Sequence, residues 1–75
     1  MDKPKIFVDF NNTDKLGRVR LTTRGTMEDI KNLQIQLKEN MQLLLDDDDS
    51  LTAVGLTKYS EDEQIWVAEI HWTLF

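Results

Sequence analysis

The sequence predicts a β-rich α+β domain in which one short helix interrupts a set of strands. Three observations lead to this class. Apolar residues alternate with polar ones in two N-terminal runs, recur at helical spacing after Thr26, and alternate again in the C-terminal half. We therefore expect an N-terminal β-hairpin, one short helix and a three-stranded antiparallel meander, curled into a small, partly open barrel or roll.

The first two alternating runs predict the hairpin. Residues 5–10, KIFVDF, and residues 17–23, GRVRLTT, each place their apolar side chains on one face. The segment between them is dense in Asn, Asp and Gly, which favour turns. Two alternating runs joined by such a loop are typical of antiparallel neighbours. The predicted inward-facing side chains are Ile6, Val8, Phe10, Val19 and Leu21.

Thr26 is predicted to open the helix. Its hydroxyl can accept a hydrogen bond from an unpaired amide of the first turn, and the acids Glu28 and Asp29 favour the positive helix end. Apolar side chains then recur at helical spacing, which predicts a helix from about residue 27. These side chains are Met27, Ile30, Leu33 and Leu37.

Residues 41–45, MQLLL, decide between two folds. A helix that continued to about residue 45 would give a two-layer ββαββ domain, and it would bring the aspartates 46–49 to its negative end. Each acid there costs roughly 0.3–1 kcal/mol. Asn40 offers an earlier stop, because Asn tolerates the left-handed conformation that ends many helices. We favour a short strand for these residues and keep the ββαββ arrangement as the alternative.

The last two strands are predicted at residues 51–59, LTAVGLTKY, and residues 64–72, QIWVAEIHW. Asp46 to Ser50 form the turn before the first of them, and residues 60–63 the turn between them. Gly55 interrupts the first strand and indicates a bulge or a bend. These elements add Val54, Leu56, Trp66, Ile70 and Trp72 to the predicted core.

Size and composition limit the function. The 75 residues make one domain, 1–75, and without cysteine neither disulfides nor thiolate-bound metals can stabilise it. No run approaches the roughly 20 apolar residues that cross a bilayer, and the first residues do not resemble a signal peptide. These features predict a cytoplasmic protein that does not act at a membrane.

The net charge of −5 is unevenly distributed. Residues 1–25 carry six cationic and three acidic side chains, whereas residues 26–75 carry three cationic and eleven acidic ones. Two interpretations follow. The opposite charges attract each other within one fold, or they form a bipolar surface that steers a partner into place.

The candidate catalytic residues lack partners. His71 is the only histidine, and its nearest carboxylate in the sequence is Glu69, which is too few ligands for a zinc site. Ser50 and Ser60 fall in predicted turns without an orienting base. No glycine-rich run forms a phosphate-binding loop. We therefore predict that the protein is not an enzyme and uses no cofactor.

The aspartate run resembles the start of a calcium loop. Asp46, Asp48 and Ser50 have its first three ligand spacings. Leu51 then stands where the loop requires glycine, and Thr57 stands where it requires glutamate. The pattern predicts a tight charged turn and no metal site.

A small chain without site chemistry is expected to act by contact. We predict a protein-interaction or regulatory module whose protein partner the sequence does not identify. Its alternative is a single-stranded nucleic-acid-binding domain, in which Arg18, Arg20 and Arg24 form a basic face with Phe7 as stacking ring. The acidic net charge makes nucleic acid the less favoured partner. The predicted interaction surface comprises Phe7, Arg18, Arg20, Arg24, Asp46, Asp47, Asp48 and Asp49.

The oligomeric state is predicted as a monomer or a weak homodimer. Strands near either end of the chain can leave a sheet edge unpaired, which favours self-association. The aspartates 46–49 oppose it, because charge near an edge prevents pairing with another chain.

The segments KIFVDFNN, GRVRL, GTMEDI and WVAEIHW resemble a family of short uncharacterised bacterial proteins of unknown function, cyanobacterial ones among them. The resemblance covers nearly the whole chain and rests on strand and turn segments. It implies a bacterial cytoplasm and agrees with a strand at residues 41–45. It implies no activity, cofactor or partner, and it assigns a role to no residue.

Overall fold

A computed structural model describes residues 3–71 of the chain. Within these residues, five strands form one sheet that curls into a half-barrel, and one short helix accompanies it. The predicted β-rich α+β class is confirmed. In chain order the elements are β1 (Lys5–Phe7), β2 (Val19–Arg20), α1 (Arg24–Asn32), β3 (Gln42–Asp46), β4 (Thr52–Ser60) and β5 (Ile65–His71).

The centre of the sheet is an antiparallel meander of β3, β4 and β5. Strand β3 confirms the prediction of a strand at residues 41–45, and the alternative helix to residue 45 is wrong. Each turn begins one residue later than predicted, at residues 47–51 and 61–64, because Asp46 still belongs to β3 and Ser60 to β4. The four aspartates therefore lie beside a strand end, where no helix dipole opposes their charge.

The predicted N-terminal hairpin is wrong. The strand order is β1-β3-β4-β5-β2, so β1 and β2 lie at opposite edges of the sheet. Strand β1 pairs in parallel with β3, whereas β2 pairs antiparallel with β5. Pairing with β3 sets Ile6 beside Leu45, and both side chains are fully buried. A two-stranded hairpin alone offers no such burial, because no further strand or helix covers its apolar face.

Helix α1 begins earlier than predicted. Thr23 is its N-cap residue, and the Met27 amide donates to the Thr23 carbonyl at 3.0 Å. Thr26 is instead a fully buried residue of the first turn, where its hydroxyl shares a hydrogen bond with the Thr23 hydroxyl. The prediction of Thr26 as the cap is wrong, because burial against the sheet determines which threonine faces the core.

The helix also ends earlier than predicted, before Asn40. Gln34 adopts a left-handed φ of 55°, and its amide donates to the Lys31 carbonyl at 3.1 Å. The Ile35 amide donates to the Ile30 carbonyl at 2.9 Å. This pair of bonds is the Schellman motif, which satisfies the last carbonyls of a helix. Asn40 is left-handed as well, with φ 64°, but it leads into β3.

The core lies on the inner face of the curled sheet. Its fully or nearly fully buried cluster comprises Ile6, Val8, Val19, Leu21, Leu43, Leu45 and Ala68. Partly buried side chains pack against this cluster, namely Phe10, Ile30, Ile35, Leu37, Met41, Trp66 and Ile70. Most of the predicted core is therefore confirmed, and the predicted core residue Trp72 lies outside the described residues.

Three predicted core residues lie elsewhere. Leu33 is 52% exposed, because the helix ends beside it. Val54 and Leu56 are half-buried and lie on the outer face of the sheet, since their alternate neighbours point inward. The inward positions of β4 carry small or polar residues, because β3 lies too close to leave room for larger side chains. These inward residues are Ala53, Gly55 and Thr57.

Gly55 marks a close approach and not a bulge. The register continues without interruption through Gly55 on both sides, opposite Leu43 and Ile70. A Cβ atom at this position would lie 2.5 Å from Leu45 Cδ1 and 3.2 Å from the Ala68 Cβ. Glycine is required here because the core leaves no room for a side chain.

Several groups at the sheet edges are bonded within the chain. At β1 the Asp29 carboxylate of α1 accepts the Phe7 amide at 2.7 Å. At β2 the backbone of residues 12–14 bonds to Arg18 and Arg20 at 2.8 Å. Beyond the end of β3, the Glu39 carboxylate accepts the Tyr59 amide of β4 at 2.8 Å. At these positions the edge groups are bonded within the chain, which leaves fewer of them for pairing with a second chain.

The sequence predicts that no segment crosses a membrane. Among residues 3–71, no helix combines the length and the apolar character that crossing a membrane requires.

Candidate functional site

Asp14 and Arg18 organise the loop that precedes β2. The Asp14 carboxylate is buried, and its Oδ1 accepts the amides of Leu16 at 3.0 Å and Arg18 at 2.9 Å. Its Oδ2 accepts Arg18 Nε at 2.9 Å. Burial raises the pKa of the Asp14 carboxyl, but these hydrogen bonds outweigh burial, so its pKa lies below the usual value. The guanidinium of Arg18 therefore already has a hydrogen-bond partner within the chain.

Arg20 connects β2 to the turn between β4 and β5. Its Nε and Nη2 donate to the two carboxylate oxygens of Glu63 at 2.8 and 2.9 Å, and its Nη1 donates to Asn12 Oδ1 at 3.1 Å. The hydrogen bond with Glu63 raises the pKa of Arg20, and the same contact lowers the pKa of Glu63. Two parallel N–H···O bonds orient both groups more strongly than a single contact does. Arg20 therefore has a structural role.

The uneven charge of the sequence is partly neutralised within the fold. In the described part of the chain, three ion pairs join the cationic N-terminal third to the acidic remainder. Lys15 meets Asp62 at 2.9 Å, Arg20 meets Glu63, and Lys5 meets Asp46 at 3.4 Å. The geometry favours the interpretation in which opposite charges attract within one fold.

A polar cleft of about 390 Å³ lies between the loop before β2 and the β4–β5 turn. It contains three cationic and three anionic side chains, so it carries no net charge that selects a phosphate or a metal ion. The cleft is lined by Asp14, Lys15, Arg18, Arg20, Ser60, Asp62 and Glu63. We assign it a structural role, as the joint between the loop and the turn.

The predicted basic face with Phe7 does not form. Phe7 lies on β1, at the opposite edge of the sheet from Arg20 on β2. The Phe7 ring packs against Gly25 of α1, where a Cβ atom would lie 2.8 Å from the ring. Arg24 belongs to α1, is largely exposed, and meets Glu28 at 3.4 Å. Arg18 and Arg20 therefore line one cleft together, whereas Phe7 lies beside α1, next to the residue that follows Arg24.

The aspartate run caps its own turn. Asp47 Oδ1 accepts the amides of Asp49, Ser50 and Leu51 at 2.9 to 3.1 Å. These bonds lower the pKa of Asp47. Asp46 Oδ1 accepts the amide of Asp48 at 2.7 Å, and Asp46 Oδ2 meets Lys5. Two of the four aspartates thus hold the turn, and Asp48 and Asp49 remain exposed to solvent.

His71 and Glu69 lie side by side on β5, with His71 Nε2 at 3.3 Å from Glu69 Oε1. No third ligand joins them, since residues 3–71 contain no group of three histidine or acidic side chains arranged to hold a metal ion. Ser60 is buried, and its Oγ accepts the Glu63 amide at 3.3 Å, which holds the β4–β5 turn.

An apolar groove is the feature that the sequence did not predict. It has a volume of about 520 Å³ and lies between α1, the segment after it, and the start of β5. We call it the α1 groove. It is lined by Leu21, Thr22, Met27, Ile30, Lys31, Gln34, Ile35, Gln36, Leu37, Ile65 and Trp66. The only sequence signal was Met27, an apolar residue at helical spacing that is 57% exposed in the structure.

The comparisons with known protein families, with curated proteins and with solved structures found no match for this chain.

Acid is expected to destabilise the fold. Asp14, Asp47, Asp62 and Glu63 have lowered pKa values in the folded state. A group of this kind stabilises the fold above its unfolded-state pKa, and its contribution is lost as the pH falls through its folded-state pKa. The denaturant midpoint should therefore decrease as the pH falls below about 4, near the unfolded-state value of a carboxyl.

Asp14→Asn tests whether the buried Asp14 carboxyl contributes to this acid effect, because asparagine cannot ionise. Its denaturant midpoint should depend less on pH between about 4 and 2 than that of the wild type. Glu61→Gln, at an exposed position in the β4–β5 turn, is the control and should retain the wild-type dependence. Equal pH dependence of Asp14→Asn and the wild type would contradict the assignment to Asp14.

Proposed function

We propose that the protein is a small protein-interaction or regulatory module without catalytic activity, and that the α1 groove is its contact surface. The partner segment that fits this groove carries an apolar side chain next to an acidic residue. The observation that carries the proposal is an apolar groove that is open to solvent and has at its rim a lysine, Lys31, that is unpaired within the described residues. Exposed apolar surface of this kind is typical of protein contacts.

The floor of the α1 groove supports an apolar anchor. Trp66 and Ile30 are partly buried and pack against the core, so they form a rigid base. Tyr59 meets Trp66 edge to face, with ring centres 5.2 Å apart, and restricts the indole further. Pre-ordered aromatic residues lose little conformational entropy on binding, which is why they dominate contact energies in many interfaces.

The rim of the α1 groove supports an acidic neighbour. Lys31 and the amide side chains of Gln34 and Gln36 line it. Within residues 3–71, Lys31 takes part in no ion pair, whereas Lys15, Arg18 and Arg20 do. An unpaired ammonium at the rim attracts a carboxylate on the partner and selects its orientation.

The alternative, a single-stranded nucleic-acid-binding domain, has weaker support. It requires guanidinium groups that are free to hold phosphates, and an aromatic ring beside them for base stacking. Arg18 and Arg20 donate to carboxylates of the same chain, and Phe7 lies at the other sheet edge. We therefore rank nucleic acid below a protein partner.

A displayed library of random peptides tests the proposal. Peptides selected on the wild-type protein should combine an apolar anchor with Asp or Glu, and they should shift the amide resonances of Ile30, Lys31 and Trp66. Met27→Asp should abolish their binding, because it introduces a charge into the groove. Leu16→Asp is the matched control, since Leu16 is also an exposed apolar residue and lies outside the groove.

Two results would contradict the proposal. One is a set of selected peptides that bind Met27→Asp as well as they bind the wild type. The other is tight binding of single-stranded DNA or RNA in a fluorescence anisotropy assay at low salt. If Arg18→Ala and Arg20→Ala abolish that binding and added salt weakens it steeply, the nucleic-acid alternative replaces our proposal.

A further inference from the structure

The sheet has an outer face that carries a separate pattern of apolar and charged residues. Side chains alternate along a strand, so the neighbours of the inward core residues point outward. The strand register sets Leu44 beside Lys5 and Val54, and sets Leu56 beside Gln42 and Glu69. We call the part of this surface around Leu44 and Leu56 the outer face. Its residues are Lys3, Lys5, Gln42, Leu44, Asp46, Val54, Leu56, Glu69 and His71, whereas Val67, which also points outward on β5, is fully buried.

The centre of the outer face is apolar and uncovered in the described part of the chain. Leu44, Val54 and Leu56 are neighbours across β3 and β4, and each is only half-buried. Among the strands, helix α1 packs against β1 alone, and the segment after the helix packs on the inner core. A hollow of about 340 Å³ crosses the outer face from Lys3 to His71, with Val54 and Leu56 in its lining.

Opposite charges flank this apolar centre. Lys3 and Lys5 lie on the β1 side, and Glu69 lies on the β5 side. The two sides are three strand spacings apart, or about 14 Å. Lys3 takes part in no ion pair within residues 3–71, and Glu69 meets only His71. Because Lys5 already meets Asp46, Lys3 carries the positive charge of the β1 margin, and Glu69 carries the negative charge of the β5 margin.

We propose that two copies of this chain pair through their outer faces, about a two-fold axis that runs parallel to β3 and β4 and passes between them. This axis places the β1 margin of one copy against the β5 margin of the other. Lys3 of each copy then faces Glu69 of the second copy, and Leu44 faces Val54 of the second copy. Each contact occurs twice, as a closed two-fold interface requires.

The charge pattern selects this axis over the other simple arrangement. A two-fold axis across the strands would place Lys3 against Lys3 and Glu69 against Glu69, and like charges oppose association. The parallel axis also brings the strands of the two sheets into near alignment, which is the common packing of two β-sheets face to face. The resulting dimer is a sandwich of two sheets with Leu44, Val54 and Leu56 at its centre.

The size of the outer face makes the dimer a weak one. Four strands and about five residues along each of them span roughly 14 by 17 Å. That area is well below the roughly 800 Å² per partner of a stable interface. We therefore expect a reversible dimer that populates only at high protein concentration. This interface is independent of the α1 groove, which opens on the inner side of the sheet.

Concentration-dependent sedimentation and amide spectra test the dimer. As the wild type is concentrated, sedimentation should indicate a monomer–dimer equilibrium, and amide shifts should change along the outer face at Leu44, Val54 and Leu56. Lys3→Glu and Glu69→Lys should each weaken the dimer about tenfold, because the two-fold axis repeats each pair and attraction becomes repulsion. The variant with both changes should recover the wild-type affinity.

Lys38→Glu is the matched control, because it makes the same charge change at an exposed position away from the outer face. It should dimerise as the wild type does. A wild type that stays monomeric at millimolar concentration would overturn the proposal. So would a dimer that is unaffected by Lys3→Glu, or a double variant that dimerises no better than the single ones. Far-ultraviolet circular dichroism verifies that each variant is folded.

Discussion

Gly55→Val is expected to lower the free energy of unfolding by about 3 kcal/mol. A Cβ atom at this position would lie 2.5 Å from Leu45 Cδ1, and Leu45 is fully buried. Overpacking a filled core costs about 1–3 kcal/mol, and a branched side chain on a closely packed strand falls at the upper end. A domain of this size has a total stability of only about 4–11 kcal/mol.

A double-mutant cycle tests the cause of that loss. Leu45→Ala removes the atoms that a Cβ at Gly55 would meet, and on its own it should cost about 2–5 kcal/mol through the cavity that it leaves. Gly55→Ala should destabilise the wild type, but in the Leu45→Ala background it should cost less or stabilise the protein. Urea unfolding measures all four proteins. Strictly additive free energies would contradict direct contact between the two positions.

Thr57→Val is the second change with a large expected effect, a loss of about 2–3 kcal/mol. Thr57 is fully buried on the inner face of β4. Its Oγ1 accepts the Met41 amide at 2.8 Å and donates to the Lys38 carbonyl. Valine has the same shape but lacks the hydroxyl, so both backbone groups lose their partner. Each buried polar group left unpaired costs about 1–3 kcal/mol.

Thr57→Ser is the control, because it retains the hydroxyl and should cost less than Thr57→Val. The second readout is hydrogen exchange at the Met41 amide, which should become faster in Thr57→Val than in Thr57→Ser. The Thr57 amide donates to the Met41 carbonyl at 2.9 Å in either variant, so β4 itself should remain paired. Equal exchange at Met41 in the two variants would show that the hydroxyl does not hold this segment.

Local patterns were sufficient for the C-terminal half of the fold. Alternation of apolar residues predicted β4 and β5, and the cost of acids at a helix end predicted the strand β3 before the aspartates. The turn at residues 47–51 followed from composition. Each of these features depends on residues within a few positions of one another, so the sequence contains the information directly.

The limits of the helix show where local information was insufficient. Thr23 and Thr26 are equivalent cap candidates by residue type, and only burial of Thr26 against the sheet separates them. The left-handed residue that ends α1 is Gln34, although Asn40 has the higher intrinsic tendency to adopt this conformation. Packing of Ile30 and Ile35 on the core outweighs that tendency.

Strand partners depended on the tertiary structure altogether. Alternation in residues 5–10 and 17–23 indicated two half-buried strands, but it carries no information on which strand lies beside them. The sheet separates them because β1 buries Ile6 beside Leu45, and β2 buries Val19 beside Ala68. Both partners are more than thirty-five residues away in the sequence, beyond the reach of pattern analysis.

The sequence alone determined that this is an acidic, cysteine-free α+β domain with an aspartate-rich turn, because composition and short-range periodicity suffice for those properties. Only the tertiary structure decided which charged side chains form ion pairs and which do not. Arg20 meets Glu63 across 43 positions of the chain, and the α1 groove combines side chains from α1, the segment after it and β5. Contacts between distant segments arise from packing, and a single sequence does not encode them in any local pattern.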